Sequence, residues 1–330
     1  MKLKEINLIN VFMCFCVVAI HLTSSLVTSL SHESDWYSFF FVINKALTFA
    51  VPAFLFLSGF KLFNKYKDID IDLKKFYLGR AKKVLLPYII CFLVYFAYYL
   101  FKDLTKWDEF LSGLFLGTLV AHFYYIIVAV QFYLLFPILL KMFKKHEIAL
   151  LVLSFVCTII FNQFVSFEYA DRTFVTYLFY FILGMFVSNH KKEDESTNSL
   201  ILKIICFSAI FIPHMMLSYK MSLGDYWYRI SGGVQVLYNT TSILLVYSIC
   251  KLVKNAKVDK IVDFINPHTY IIFLYHILII HVLQFSVYPH FNLNLKYQFL
   301  ISTIVVFGSV LIYCFIANRI KQRGAKNDWN

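Results

Sequence analysis

Long apolar runs separated by short polar connections dominate this chain. A helix needs about 20 apolar residues to cross the hydrocarbon layer of a bilayer. Runs of that order occupy roughly 6–28, 39–63, 84–101, 120–140, 147–165, 173–188, 200–218, 232–250, 269–288 and 297–318. The pattern predicts an all-α integral membrane protein, with about ten transmembrane helices in one bundle around a polar cavity. A single domain over residues 1–330 is expected, with short connections and no soluble extracytoplasmic domain. The apolar segment 110–119 is too short to cross and predicts a re-entrant or interfacial helix. The first run starts from Lys2 and Lys4 like a secretory signal. Its apolar stretch is longer than such a signal has, no small-residue cleavage site follows, and it carries Asn7, Asn10 and His21, so it is read as a retained span.

Composition supports the membrane assignment. Hydrophobic residues make up 60% of the chain and charged ones 15%, with 37 Phe and 23 Tyr. A water-soluble fold could not bury that much apolar surface and still clothe itself in polar groups. The net charge of +12 would suit a nucleic-acid partner, but its distribution argues otherwise. If both termini face the cytoplasm, the inner segments hold 24 of the 31 Lys and Arg and the outer loops 6. Lys45 lies within the second run. This is the positive-inside pattern of a multi-pass protein, and no nucleic-acid partner is expected. Trp36, Trp107 and Trp227 fall in predicted outer loops, where an interfacial aromatic belt would place them.

Polar residues within spans are costly and are therefore candidates for function. In span one, Asn7, Asn10, Cys14, Val17, His21, Ser24 and Thr28 recur at intervals of three and four, which places them on one helix face. The other faces read as apolar, so the stripe should turn inward. Span nine carries Tyr275, His276, His281, Gln284 and Tyr288. His276 and His281 are too far apart around a helix to share a site easily, whereas Thr269, His276 and Leu283 share a face. Span four opens with His122-Phe-Tyr124-Tyr125 and continues to Gln131 and Pro137; span eight carries Gln235, Asn239 and Ser242. The blander reading of each group is interhelical hydrogen bonding. No Walker motif, dinucleotide fingerprint, zinc-protease motif or Cys–His metal spacing is present, so no metal and no bound cofactor are expected.

Six segments, in order, resemble the acyltransferase-3 family of membrane acyltransferases. Span one ends in Phe15-Cys-Val-Val-Ala-Ile-His21, similar to the family's apolar run and histidine. Val51-Pro-Ala-Phe-Leu-Phe-Leu-Ser-Gly59 is similar to V-P-x-F-F-x-x-S-G. The basic stretch from Phe76 through Arg80 and Lys83 ends in Leu86-Pro-Tyr88, like the family's L-P-Y. His122-Phe-Tyr-Tyr125 resembles H-L-W-F, Tyr180-Phe-Ile-Leu-Gly184 resembles Y-F-x-L-G, and Thr269 to His276 resembles S-Y-x-x-Y-L-x-H. The chain departs from the family at Asn10, where an arginine is usual.

The resemblance implies O-acylation of a hydroxyl on a surface glycan, with a cytoplasmic acyl-CoA, acetyl-CoA above all, as donor. The site it implies has His21 as general base or acyl carrier and His276 as a second catalytic group. Asn10, Ser58, Arg80, Lys83, His122, Tyr124, Gln131, Gln235, Asn239 and Tyr275 are the expected substrate contacts. Arg80 and Lys83 would meet the donor's phosphates. The setting is a bacterial plasma membrane, beside the machinery of polysaccharide synthesis. Relatives of the poly-N-acetylglucosamine intercellular adhesion protein suggest a rival reading, export or flipping of a polysaccharide. A non-catalytic partner in a synthase complex is a third.

Overall fold

A computed structural model describes residues 4–191, 195–224 and 231–327, with side chains to Gln322. Lys2 and Trp227, named above, lie outside the described residues, as do Lys192 and Arg229, which enter the totals of inner and outer basic residues. The described residues form helices and no strand. Every backbone N–H and C=O within the bilayer needs a partner, and a helix supplies it internally. Eight helices are long and apolar enough to cross a membrane.

This count and the ten expected spans differ for two reasons. Spans four and five are two helices that meet at the non-helical His146 (φ −143°, ψ 57°) within Tyr124–Phe164, taken together here as α7 and counted once. Span six is the shorter apolar helix Phe174–Asn189.

The described chain falls into two compact units, 1–48 with 253–330, and 49–252. The first contains α1 (Lys4–Ser29), α2 (Asp35–Ala46) and, beyond residue 252, three further helices. The second contains α3 (Ala50–Tyr66), α4 (Leu73–Arg80), α5 (Leu86–Phe101), α6 (Phe110–Leu116), α7 (Tyr124–Phe164), α8 (Leu178–Asn189), α9 (Thr197–Ser222) and α10 (Ser231–Leu252). The first unit resumes with α11 (Ala256–Ile265), α12 (Thr269–Val282) and α13 (Leu295–Asn327). The expected interfacial segment is α6, which stops at Gly117 in the left-handed conformation (φ +63°).

Two expectations need correction. Span two, Asp35–Tyr66, is long enough to cross but is not one unbroken helix: residues 47–49 form a turn between α2 and α3. Pro52 sits in the first turn of α3, where its missing N–H costs nothing. Nor is α1 polar inside and lipid-facing elsewhere. Ile6, Ile9, Val11, Met13, Cys16, Val18 and Leu22 are buried along with Cys14 and Val17, so neighbours cover α1 on most sides.

Prolines also shape the site-bearing segments. Between α4 and α5 the chain makes a π-turn at Ala81–Leu85, two residues before Pro87. Proline offers no N–H and its ring crowds the carbonyl four residues back; the wider turn absorbs this. A second π-turn, Leu283–Val287, precedes Pro289 in the same way.

In the second unit, α3 and α8 meet through glycines. A Cβ on Gly59 would lie 2.0 Å from the Phe181 carbonyl oxygen, and one on Gly184 would lie 2.0 Å from that of Phe56. The contact is reciprocal, so the two backbones touch where small residues permit it.

The start of α9 is tied down by charge. Lys203 Nζ donates to Glu195 (2.6 Å) and to the Ser248 hydroxyl (2.6 Å), and Lys251 lies 3.6 Å from the same carboxylate. Burial alone would push the Glu195 carboxyl up, but the hydrogen bond from Lys203 and those from nearby hydroxyls bring it down to about 2. A depressed carboxyl contributes stability that is fully present above its ordinary value of 4.5 and is lost as pH falls towards about 2. Thermal unfolding in detergent should therefore show a drop in midpoint across that interval. Glu195→Gln should flatten it. An unchanged pH profile in the variant would rule out this clamp.

Candidate functional site

The first unit brings two of the expected site residues together. His21 on α1 and His276 on α12 have ring centroids 5.2 Å apart, tilted by 48°. His276 is buried, at 1% exposure. Its Nδ1 lies 2.8 Å from the Phe273 carbonyl oxygen and 3.1 Å from that of Ile272. Carbonyl oxygens only accept, so Nδ1 carries the proton and Nε2 is the basic nitrogen. An oxyanion donor must carry a proton on the nitrogen it presents, so this tautomer makes His276 Nε2 a proton acceptor.

Asn10 lies deeper on the α1 stripe. Its Nδ2 donates to the Asn266 side-chain oxygen (2.9 Å) and to the Thr269 hydroxyl (2.8 Å). Cys14 reaches the Thr269 carbonyl. These contacts fix α1 against the start of α12 and set the rotation at which His276 meets His21. Asn266 and Thr269 were not among the expected site residues. Thr269 was visible on the face of span nine that carries His276, but nothing in the sequence pairs it with Asn10. Tyr275, next to His276, is half-buried. His281 packs on Phe285, with centroids 5.2 Å apart, and lies close enough to both His21 and His276 to interact with them electrostatically.

The second unit gathers another group. The Ser58 hydroxyl hydrogen-bonds to Tyr125 and Tyr133, and Tyr133 hydrogen-bonds to Arg80. The Arg80 guanidinium lies 5.5 Å from the centre of the Tyr133 ring and 5.6 Å from that of Phe76. It is half-buried, whereas Lys83 on the π-turn is exposed. Ser58 and Arg80, expected from separate motifs, thus share one aromatic cluster. Tyr125 closes the His122-Phe-Tyr-Tyr125 motif but was not among the expected contacts, and Tyr133 was not singled out in the sequence.

The remaining expected residues take other partners. Gln131 donates to the Arg172 carbonyl (2.7 Å) and accepts from the Phe174 N–H (2.8 Å), which fixes the connection ahead of α8. Gln235 donates to Asn239 (2.9 Å), and Asn239 donates to the Tyr180 hydroxyl (3.1 Å). Tyr124 hydrogen-bonds to Tyr177, and their rings stack at 6.5 Å. His122 is buried beside Phe123, with centroids 4.7 Å apart, and Tyr95, at 6.1 Å.

Comparison with known proteins bears on the chemistry. The family model described as an acyltransferase domain matches residues 3–319. The chain is 26% identical over 308 residues to YfiQ of Bacillus subtilis (strain 168), a protein whose name assigns it provisionally as a membrane-bound acyltransferase. That match covers 84% of this chain and 80% of YfiQ. No solved structure matches.

Proposed function

The chain belongs to the acyltransferase-3 family and is a multi-pass membrane acyltransferase, and from that premise we propose that it transfers an acyl group from cytoplasmic acyl-CoA to a hydroxyl of a surface or secreted polysaccharide. The observation that carries this reading is the imidazole pair of His21 and His276. In the proposed reaction His21 accepts the proton of the glycan hydroxyl as its oxygen attacks the thioester carbonyl. The tetrahedral intermediate collapses, the carbon–sulfur bond breaks, and the proton passes to the leaving thiolate of CoA. The products are the glycan ester and CoA.

His276 supports this step. With Nδ1 committed to carbonyls, its Nε2 is left as an acceptor in a ring 5.2 Å from that of His21, and the proposed role of that nitrogen is to favour the His21 tautomer whose other nitrogen is basic. Donors for the developing oxyanion must come from elsewhere, and the Tyr275 phenol is the neighbour of suitable chemistry.

Donor recognition is assigned to Arg80, with Lys83 near it in sequence. A guanidinium makes strong, directional hydrogen bonds to phosphate oxygens. The aromatic rings around Arg80 restrict its motion, so less freedom is lost on binding.

The proposed orientation places both termini and the 191–197 segment in the cytoplasm of a bacterial plasma membrane. The support is the 24-to-6 division of basic residues. Single cysteines at Lys191 or Ser196 should be blocked only by membrane-permeant reagents in whole cells. Labelling from outside by an impermeant maleimide would refute the orientation.

The transfer itself can be followed in inside-out vesicles carrying the protein, using acyl-CoA labelled in the acyl group and an added oligosaccharide. Base-labile label should appear in the oligosaccharide. Label that stays in acyl-CoA, with the protein folded and both substrates present, would reject the reading.

A further inference from the structure

Between α12 and α13 runs an apolar groove of about 330 Å³, open along one side. Its walls include Ile271, Ile279, Ser309 and Val310, and His276 forms part of its lining. The lining runs from the first turn of α12 to its last and lies near the middle of α13. Ile304, Leu311, Ile312 and Phe315 on α13 are exposed, as expected of a helix that meets lipid. The groove is therefore an apolar space between two helices that meet lipid, and its lining includes one of the two proposed catalytic histidines.

We propose that this groove receives the hydrocarbon chain of the acyl donor and that the enzyme transfers an acyl group longer than acetyl. The inference rests on the transferase reading and names its donor class. Whatever group the reacting carbonyl carries must begin next to the histidines, so an apolar channel that touches His276 is where that group goes. Size decides its length. An acetyl group has three non-hydrogen atoms and needs ~90 Å³ at about one water-sized volume per atom. The groove is more than three times larger, enough for a chain of roughly six to ten carbons. Left empty, an apolar space of this size would forfeit contacts that a chain supplies. A bilayer lipid is the competing occupant, but its carbonyls carry no activated leaving group and it would obstruct His276.

The test uses the full-length protein in lipid nanodiscs. Transfer rates are measured for acetyl-, butanoyl-, hexanoyl-, octanoyl- and decanoyl-CoA, with wild type and Ser309→Phe, which narrows the groove. Wild type should favour hexanoyl or octanoyl over acetyl by about tenfold or more in kcat/KM. Ser309→Phe should lose the preference, with kcat/KM for hexanoyl- and octanoyl-CoA falling further than that for acetyl-CoA. In parallel, an octanoyl-CoA bearing a terminal diazirine is photolysed on the wild-type protein. Label should map to 271–279 and 309–313 and be displaced by octanoyl-CoA. Acetyl preference in wild type together with no label at these positions overturns the inference while leaving the transferase reading intact. Displaceable label without transfer to any acceptor supports the groove assignment and defeats the transferase reading. Label displaced by phospholipid but not by octanoyl-CoA shows a lipid site and also overturns the inference.

Discussion

His21→Ala is expected to lower acyl transfer by ~10²–10⁴-fold, the usual contribution of a general base, with little change in membrane insertion or thermal stability. The physical reason lies in the first unit. The α1 stripe is anchored by the two hydrogen bonds of Asn10 to Asn266 and Thr269, which hold the helix in place whether or not the imidazole is present. His276→Ala should produce a loss of the same order, because the proposed role of its Nε2 is to hold His21 in its basic tautomer. The double variant should be little worse than either single one, since residues that act as a unit are strongly non-additive. Steady-state rates in nanodiscs, read beside unfolding midpoints, check this. Full activity in His21→Ala, or independent and multiplicative losses in the double variant, would contradict the pairing.

Gly184→Leu and Gly59→Leu are expected to have the largest effect on the fold. At both positions the first atom that a Cβ meets is a backbone carbonyl oxygen at 2.0 Å. A flexible side chain could turn aside, but a helix backbone can yield only if α3 and α8 separate. Overpacking typically costs 1–3 kcal/mol and occasionally more; because the obstacle is backbone, about 3 kcal/mol or more is expected for each. Alanine already places a Cβ there and should destabilise measurably. Separation would also displace Ser58 from Tyr125 and Tyr133, because Ser58 adjoins Gly59 on α3. Activity should therefore fall even where Gly184→Ala still inserts. Detergent-solubilised Gly184→Leu that unfolds at the wild-type temperature would refute the close contact.

The sequence made the span pattern and the chemistry-bearing residues legible, because apolar run length and helical spacing are local properties. His21 stood out by its place on a polar stripe and His276 by its place beside Thr269. Their meeting did not, since no spacing along the chain reports a contact between residues on α1 and α12. The same holds for Asn10, whose hydrogen bonds to Asn266 and Thr269 join residues more than 250 positions apart. Gln131, Gln235 and Asn239 show a related effect. Polar residues inside a membrane protein need partners, and the pattern alone does not say whether that partner is a ligand or another helix. Here backbone groups, one another and Tyr180 take those hydrogen bonds. The burial of α1 on most faces was also hidden, since an apolar residue facing a neighbouring helix reads like one facing lipid. The glycine contact could be located but not explained: Gly59 and Gly184 each close a family-like motif, and only the structure shows that each makes room for the other's helix.

The central claim, that the protein acylates a glycan and that His21 does the chemistry, is tested most directly by mass analysis of the surface polysaccharide from three strains carrying the wild-type gene, a deletion and His21→Ala. An ester-linked acyl group is expected on the wild-type polymer, and the same polymer at normal abundance without that group in the other two. Polymer that is still acylated but no longer reaches the surface in His21→Ala would contradict it and favour export.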